Sequence, residues 1–512
     1  MKINGKFLYI LTFGLLLLMY LMSIPNRKPH VDDAWLGEHS YWLWHDGVVK
    51  SKLMSGIAGS EDRLLLHHKL FTLQGSAVIS VFGFRLPWLK AVSLLYLVLS
   101  ILVLKQIVKR MKLFNHPLSL PLFFLLLLLN PLVFEFSYVF RPEIMLMFLG
   151  LLSFFFVWLA TKAEERPKLN SFISGLFAGL ALVTHLNGII FIASGFLLFA
   201  LKRKFIPAVL FGIGATITSL GYFYDFRSIS DFSLWYRQLT FIPSADGDIH
   251  LIIRLFYNSL GEHFRYFHSP VEISLSLLLL VTAFFGWTKL KEERSVLLVY
   301  TFLLMLTMSA FALNKTSKYL ILLLPYFLMI VTVYIDKLLS LYDLRALRRI
   351  GMVASVYIVV SLIYNTITIQ DKYDPVLNEH IRTTFAGEKS SEMHVLAPME
   401  FIFDEIDNFE KITSLMSYNE RLKLIPDLKA TKFLKMARSE GIDLILLNDD
   451  YINTFEMRHF TKDSHVAGFV LVYKAEDLMV WENSGRLNPA LTQIRQTTQY
   501  ESGLFQYHSG LN

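Results

Sequence analysis

The sequence predicts a polytopic α-helical membrane protein with a small soluble α/β domain near its C-terminal end. Of its 512 residues, 54% are hydrophobic and only 18% are charged, a balance too apolar for a soluble protein. Apolar runs long enough to cross a bilayer recur as far as residue 368 and are missing beyond it. We therefore expect a transmembrane domain over residues 1–368, an outer-face α/β domain over 369–485, and a flexible, Gln-, Thr-, Ser- and Gly-rich tail over 486–512.

The formal net charge of +7 raises the question of nucleic-acid binding, but the arrangement of the basic residues argues against it. Lys and Arg occur in short clusters between apolar runs, where the topology of a membrane protein accounts for them. We therefore expect membrane lipid, and no nucleic acid, among the partners. Cysteine is absent, which excludes a disulfide framework and a thiolate metal site and leaves the redox compartment open.

About eleven apolar segments have the length and hydropathy of membrane-spanning helices. The first follows Lys2 and Lys6, as the core of a signal peptide would, but no Ala-x-Ala site follows it, so we interpret it as an uncleaved anchor. The candidate spans are residues 7–24, 88–104, 117–137, 142–161, 171–184, 188–201, 205–222, 271–288, 295–312, 317–335 and 350–367.

The basic clusters between these segments set the predicted orientation. If the run over 64–84 spanned the membrane, every later loop would change sides. If it lies at the interface as a helix, all the basic clusters fall on one side, as the positive-inside rule requires. We adopt this second arrangement, which places the N-terminus in the cytoplasm and the C-terminal domain outside the inner (plasma) membrane.

An acidic pair, Asp32-Asp33, follows the first apolar segment. The segment over 33–47 is rich in Trp and otherwise mostly polar, which is typical of a helix lying at the membrane interface. Carboxylates held in a cleft there can act as a general base or as metal ligands. The alternative interpretation is a solvated acidic loop.

Further polar groups collect on the same predicted side, close to hydrocarbon, where a polar cavity is the usual reason for them. Each also has a structural interpretation: Glu143 can favour the start of its helix, Lys318 can extend to the interface, and His185 can belong to a helical hairpin. Helix capping does not explain Arg141. The histidines of the loop over 225–270 are too irregularly spaced to indicate a metal site. The collected residues are His67, His68, Arg141, Glu143, His185, Lys315, Lys318 and Tyr319.

The C-terminal region has the alternating patterns of a small α/β domain. It contains no Gly-rich phosphate loop, nucleophile elbow or zinc-protease motif, so we interpret it as an accessory domain that stabilises the protein or shapes the acceptor site. The patterns predict strands over 394–397 and 442–447, a helix over 430–439 with Phe433, Leu434 and Met436 inward, and a hairpin of 469–473 with 478–481.

The order of these features resembles the glycosyltransferase C superfamily, in the branch of the protein O-mannosyltransferases and the bacterial aminoarabinose transferase of lipid A. That branch has an acidic pair in the first outer loop, two interfacial helices, and then a span that begins near an Arg. The similar stretches here are Asp32-Asp33, the helices over 33–47 and 64–84, Arg85, Phe140 to Ile144, the Gly-rich run 175–188, and 318–325, which together cover most of residues 1–335.

The sequence departs from that branch at several positions. The second acid is Asp33 rather than Glu, and Leu36 stands in place of an aromatic residue. The Lys that often opens the second interfacial helix corresponds to His67 or His68, and His185 stands where a Lys is common.

The resemblance implies transfer of a hexosyl or pentosyl group from a polyprenyl-phosphate sugar to a glycan, lipid or protein acceptor on the outer face. A phosphate leaving group needs little protonation, so one base and a set of cations suffice. Asp32 is the candidate base, which predicts inversion by single displacement, and Asp33 is the second candidate catalytic residue. The candidate donor-phosphate ligands are Arg141, Lys318, Lys315 and Tyr319, and the other candidate cavity residues are Glu143, His67, His68 and His185.

No cofactor is expected for this chemistry. A hard divalent cation held by Asp32, Asp33 and Glu143 is the alternative. Two competing functions are a polysaccharide ligase or polymerase, which a loop containing Arg254, His263 and Arg265 would favour, and a lipid-linked-sugar transporter. A transporter predicts internal repeats and polar groups near the midplane, and neither pattern is found in the sequence.

Overall fold

The structure is a computed structural model that describes residues 5–162, 165–240, 259–290, 295–312, 315–370 and 377–485. The chain divides into two compact units. We call the first the helical unit; it comprises Met1–Arg27, Leu66–Gln74 and Lys90–Gln370. The second, the sheet unit, comprises Lys28–Leu65, Gly75–Leu89 and Asp371–Asn512. The predicted tail over 486–512 lies outside the described residues.

Helices make up most of the described chain up to residue 370. They are α1 (Gly5–Ser23), α2 (Val31–Asp46), α3 (Lys69–Phe82), α4 (Leu86–Met111), α5 (Ser119–Leu129), α6 (Pro131–Phe136), α7 (Glu143–Thr161), α8 (Pro167–Thr184), α9 (Ile189–Leu201), α10 (Phe205–Ser219), α11 (Ser230–Thr240), α12 (His263–Tyr266), α13 (Pro270–Leu290), α14 (Ser295–Phe311), α15 (Leu324–Ser340) and α16 (Leu344–Gln370). Each predicted span overlaps one or two of these helices.

Four helical stretches among the described residues are long and apolar enough to cross a membrane: Leu86–Met111, Glu143–Thr161, Phe205–Phe223 and Leu344–Gln370. The other apolar helices are shorter, and the number that cross a bilayer stays a prediction. Helices α2 and α3 occur in the two segments predicted to lie at the interface, and their position at the interface stays a prediction. Both begin away from the predicted boundaries, and α3 opens at Lys69.

Small residues set the packing of α8 against α10. A Cβ at Gly175 would lie 2.0 Å from the carbonyl oxygen of Phe211, and one at Gly179 would lie 2.0 Å from Oγ1 of Thr218. Because neither position has room for a side chain, the two backbones approach closely, as small residues allow in membrane helices. The Gly-rich run that precedes His185 therefore has a packing role.

The sheet unit contains α2 and a six-stranded mixed sheet of order β2-β1-β3-β6-β5-β4. Strand β1 pairs in parallel with β2 and β3, whereas β3–β6, β6–β5 and β5–β4 are antiparallel. The strands are β1 (His394–Ala397), β2 (Lys411–Ser414), β3 (Leu444–Asn448), β4 (His465–Val466), β5 (Phe469–Lys474) and β6 (Leu478–Asn483); the helices beside them are α17 (Leu377–Ile381), α18 (Leu415–Leu422), α19 (Ala430–Ser439) and α20 (Asp449–Thr454).

The predicted strands, helix and hairpin of this region are confirmed. Phe433 and Leu434 are buried in the core beside Trp481 of β6, as the helical spacing predicts. Met436 is half-buried and packs against the same core, and Ala437 is buried there as well. Phe433, Leu434 and Ala437 thus form the buried face of this helix, with Met436 at its border.

Candidate functional site

An ion pair marks the start of α7. Pro142 precedes the helix, and Glu143 is its first residue, so the backbone holds the Glu143 carboxylate next to Arg141. The Arg141 guanidinium donates from Nε to both carboxylate oxygens at 3.1 and 3.0 Å, and from Nη2 to Oε1 at 2.5 Å. Glu143 is fully buried, whereas 13% of the Arg141 side chain is exposed. The carboxylate therefore lies behind the guanidinium and fixes its orientation.

His185 lies in the turn between α8 and α9, close to this pair. Its Nδ1 accepts a hydrogen bond from the backbone N–H of Asn187 at 3.0 Å, so in the neutral ring the proton resides on Nε2, 3.4 Å from the Tyr319 hydroxyl. Burial lowers the pKa of His185 to about 4, with Arg141 lowering it further and Glu143 opposing the shift. The ring of His68 stacks on His185 with centroids 4.6 Å apart. His185 is therefore a neutral group at physiological pH.

A second ionic group surrounds the first residue of α3. The Lys69 ammonium is fully buried and contacts both Asp225 carboxylate oxygens at 2.7 Å. The same carboxylate lies 3.0 Å from Nε2 of His67, whose Nδ1 is 3.2 Å from the Thr72 hydroxyl. The expectation that His67 or His68 would open this helix is wrong. Lys69 opens it, and the histidines occupy the extended segment before it.

Burial and charge determine the protonation states in this second group. Burial lowers the pKa of His67 to about 4, although its hydrogen bond with Asp225 opposes that shift. Burial alone would raise the pKa of Asp225, but the hydrogen bond from His67 and the charge of Lys69 outweigh it, so the pKa is lowered. The group therefore consists of an ammonium, a carboxylate and a neutral imidazole.

A third ionic group connects α12 with the segment before α15. Arg265 is fully buried, and its Nε donates to Glu262 at 2.8 Å while Nη1 donates to the carbonyl of Thr316 at 2.8 Å. Lys315 contacts the other Glu262 oxygen at 3.0 Å. The Arg265 guanidinium also lies 5.8 Å from the ring centroid of Tyr319. Tyr319 therefore links this group to His185.

The structure thus joins most of the predicted residues of the helical unit into one network. Arg141, Glu143, His185, His68, Tyr319 and Lys315 belong to it directly or through Arg265 and Glu262. His67 belongs to the Lys69 group, one residue away from His68. Lys318 is half-buried in a 3-10 turn next to Tyr319. In the loop that would favour a ligase, Arg254 lies outside the described residues, and His263 is an exposed residue of α12.

An apolar cavity begins beside Arg265. Its volume is about 340 Å³, and its wall includes Tyr266 and Phe267, the two residues that follow Arg265. The remaining wall is formed mainly by aliphatic and aromatic side chains of α13, α14 and α15. The rings of Tyr266 and Phe327 pack 6.4 Å apart at this wall. An ionic network and a hydrocarbon-lined space are therefore adjacent within the helical unit.

The acidic pair stands at the N-terminus of α2, in the sheet unit. The Asp33 carboxylate is fully buried, and its Oδ2 accepts from the His30 backbone N–H at 2.7 Å. In return, the His30 ring accepts from the backbone N–H of Asp32 at 3.1 Å, which completes a capping box. Asp32 lies 3.2 Å from the His30 ring and keeps 20% of its side chain exposed. Asp32 is thus the more accessible acid of the pair.

Helix α2 is held by a buried carboxylate further along. Glu38 accepts from Trp42 Nε1 at 3.0 Å, from the Ser51 hydroxyl at 2.6 Å, and from two backbone N–H groups of the loop after the helix. Burial raises the pKa of Glu38 to about 6, although all of these hydrogen bonds oppose the shift.

Within the described residues, no cluster of three or more His, Asp or Glu side chains is arranged to hold a metal ion.

This mostly helical architecture with its small mixed sheet has a fold shared with solved structures of two other proteins. The chain is similar to ArnT from Cupriavidus metallidurans bound to undecaprenyl phosphate, with a TM-score of 0.59 and 12% identity over 94% of this chain and 98% of that one. It is also similar to the oligosaccharyltransferase AglB from Archaeoglobus fulgidus in complex with an inhibitory peptide and a dolichol-phosphate, with a TM-score of 0.52 and 11% identity over 85% and 69% of the two chains. No protein-family model and no curated protein matches the sequence.

Sequence reasoning did not identify Lys69, Asp225 or Glu262 as members of these ionic groups. It named Arg265 only as part of a loop that would favour a ligase, and not as a partner of Tyr319. One signal was available for Lys69, because it directly follows the His67-His68 pair and precedes an apolar helical pattern. The partners of Lys69 and Tyr319 lie in a loop with no regular spacing, so no local pattern could pair them with these residues.

Proposed function

We propose that this protein is a membrane glycosyltransferase that moves a sugar from a polyprenyl-phosphate donor to an acceptor on the extracytoplasmic face. The observation that carries the proposal is the buried ionic network of Arg141, His185, Tyr319 and Arg265 beside an apolar cavity. A lipid-phosphate donor needs both environments, since its phosphate is charged and its chain is hydrocarbon. The likeness of fold to ArnT with bound undecaprenyl phosphate supports the same class of donor.

The donor phosphate is assigned to the cationic side of this network. Arg141 presents a guanidinium already oriented by Glu143, and guanidinium groups bind phosphate oxygens in pairs. Arg265, Lys315 and Lys318 supply further positive charge, and the Tyr319 hydroxyl supplies a hydrogen bond. Such fixed groups stabilise the charge that develops as phosphate departs. Loss of the Arg141 charge is expected to slow transfer about 100- to 1,000-fold.

The isoprenoid chain of the donor is assigned to the apolar cavity. The cavity starts at Tyr266, next to Arg265, so a lipid bound there would have its phosphate near the cations. With about 340 Å³, the cavity holds only part of a long chain, and the rest would lie in the bilayer. An enzyme that takes its donor from the membrane in this way needs no soluble domain to bind a nucleotide sugar.

Asp32 is the proposed base. Its carboxylate takes the proton of the acceptor hydroxyl while that oxygen attacks the anomeric carbon; the bond from carbon to phosphate oxygen breaks, and the electron pair leaves on the phosphate. One displacement inverts the anomeric configuration. Asp33, buried in the capping box with His30, positions the start of α2 and thereby Asp32. No cofactor takes part in this scheme.

The proposed orientation places the N-terminus in the cytoplasm of the cell and the sheet unit outside the inner membrane. It follows from the distribution of Lys and Arg between the apolar helices. The acceptor is a glycan, lipid or protein, and the sheet unit is the proposed contributor to its binding.

The test compares wild type with Asp32→Asn as full-length protein in membranes loaded with radiolabelled polyprenyl-phosphate sugars. Labelled product is expected with wild type, and removal of a general base is expected to lower its rate about 100- to 10,000-fold. Asp46→Asn, at the opposite end of α2, is the matched control and should transfer at the wild-type rate. An active Asp32→Asn protein would refute the assigned base. If wild type binds polyprenyl lipid but turns over no donor, a transporter or ligase function replaces the proposal.

A further inference from the structure

A second cavity of about 270 Å³ lies between α13, α15 and the start of α16. Its wall combines Arg345 and Arg349 with the apolar side chains of Val281, Phe285 and Ile350. The two arginines are four residues apart, so they project from the same face of α16. The Arg349 guanidinium lies 5.7 Å from the centroid of the Phe285 ring, which holds it at the cavity wall.

The charge of this cavity is positive. Asp343 also lines it, but its Oδ1 accepts from the backbone N–H of Ala346 at 3.1 Å and so serves the start of α16. The cavity wall therefore carries two guanidinium groups and one carboxylate, and that carboxylate accepts a hydrogen bond from the backbone of α16. An anion bound here would meet donors that fork onto phosphate oxygens.

The surface around the cavity is apolar and exposed. Leu341, Tyr342 and Leu344, in the turn that leads into α16, have exposed fractions of 58%, 84% and 73%. Large side chains that are this exposed on a membrane protein are suited to contact with acyl chains or the interface. The cavity therefore combines positively charged side chains with an exposed apolar surface close to it in the chain.

The cavity lies at the far end of α15 from the ionic network of the proposed transfer site. Tyr319 is just before α15 begins, and Asp343 is just after it ends. A helix of 17 residues separates them by about 25 Å at 1.5 Å per residue. The two sites thus belong to opposite ends of the helical unit, and the second is on the side that the basic clusters assign to the cytoplasm.

We propose that this cavity binds the headgroup of an anionic phospholipid of the membrane leaflet on that side. Basic pockets between membrane helices suit such headgroups, and here the arginines would bind the phosphate while the acyl chains lie along the exposed apolar surface. The proposal concerns a structural lipid at a site separate from the transfer chemistry, and it holds whether or not the chain transfers sugar.

The test is native mass spectrometry of the purified full-length protein in detergent, titrated with phosphatidylglycerol and, separately, with zwitterionic phosphatidylethanolamine. Wild type is expected to retain at least one phosphatidylglycerol more tightly than phosphatidylethanolamine. Arg345→Gln with Arg349→Gln is expected to weaken that binding roughly 10- to 30-fold, since each basic residue contributes substantially to binding of an anionic lipid. Arg348→Gln is the matched control, because Arg348 is on the same helix and exposed but does not line the cavity.

A second variant separates loss of the site from loss of folding. Ala346→Trp fills the cavity and keeps both arginines, and it should also abolish the tight phosphatidylglycerol site while the protein elutes as wild type in size-exclusion chromatography. The proposal is overturned if the double variant binds phosphatidylglycerol like wild type, or if Arg348→Gln loses as much affinity. It is equally overturned if inorganic phosphate displaces the lipid at the lipid's own concentration, because the site would then recognise a free anion.

Discussion

Arg141 and Glu143 form a bidentate ion pair in which the carboxylate is fully buried and the guanidinium retains 13% exposure. Taking both charges out of water is costly, and their mutual attraction and hydrogen bonds offset that cost only while both partners are present. The carboxylate therefore orients the guanidinium, and disruption of the pair should affect stability as well as the proposed phosphate binding.

Removing one partner of this pair should destabilise the protein more than removing both. Arg141→Gln leaves a buried carboxylate without its cation, which costs roughly 3–5 kcal/mol in comparable pairs. Arg141→Gln with Glu143→Gln removes both charges and should recover part of that loss. Thermal unfolding midpoints in detergent for wild type, both single variants and the double variant measure the coupling. Additive effects of the two substitutions would contradict the observed pairing.

The buried ammonium of Lys69 should depend on Asp225 in the same manner. Asp225→Asn is expected to lower the free energy of unfolding, by less than the roughly 3–5 kcal/mol of a fully buried pair because 19% of the Asp225 side chain is exposed. Lys69→Met combined with Asp225→Asn leaves no buried charge, so it should be more stable than Asp225→Asn alone. Thermal unfolding of the three proteins decides this, and equal stability of the single and double variants would argue against the ion pair.

His185 should make the protein less stable in acid. Its folded-state pKa of about 4 is below the ordinary value of 6.5, so between these values the unfolded state binds more protons than the folded state. Its contribution to stability is complete above pH 6.5 and is lost as the pH falls towards 4. His185→Asn, which keeps an acceptor for the Asn187 N–H, should show a smaller drop in unfolding midpoint between pH 7.5 and pH 5 than wild type. An unchanged drop would mean that His185 is not the buried neutral ring described here.

Glu38 should act in the opposite direction. Its folded-state pKa of about 6 exceeds the ordinary value of 4.5, so the folded state binds more protons between these values and its stability rises as the pH falls. The gain is at most about 2 kcal/mol, reached near pH 4.5. Comparison with Glu38→Gln isolates it: the stability of wild type relative to this variant should increase from pH 7.5 to pH 5.

Much of the fold could be predicted from the sequence because the length and periodicity of apolar segments determine where helices and strands form. Every candidate span overlaps a helix, and the helix over 430–439 and the hairpin of the C-terminal region occur where the patterns place them. The discontinuous sheet unit is different. Composition changes near residue 370, but nothing in the composition of residues 28–65 indicates that they pack with strands formed after residue 390.

The candidate site was predictable only where sequence neighbours make the contacts. Arg141 and Glu143 are two residues apart, and the start of a helix brings them together. Lys69 and Asp225 are separated by 156 residues, and their pairing depends on tertiary structure that no local pattern encodes. The same applies to Arg265, whose contacts with Thr316 and Tyr319 require the packing of α12 against the segment before α15.

The discontinuity of the sheet unit also has a consequence for biosynthesis. The Tyr41 hydroxyl of helix α2 donates to Asp407, which is synthesised 366 residues later. In the same unit, Phe84 stacks on Phe403 with ring centroids 5.4 Å apart. During translation, helix α2 and Phe84 therefore lack these neighbours until residues 403–407 have been synthesised. A stop codon near residue 370 would thus remove contacts that hold α2, the helix that carries the proposed base, as well as the strands.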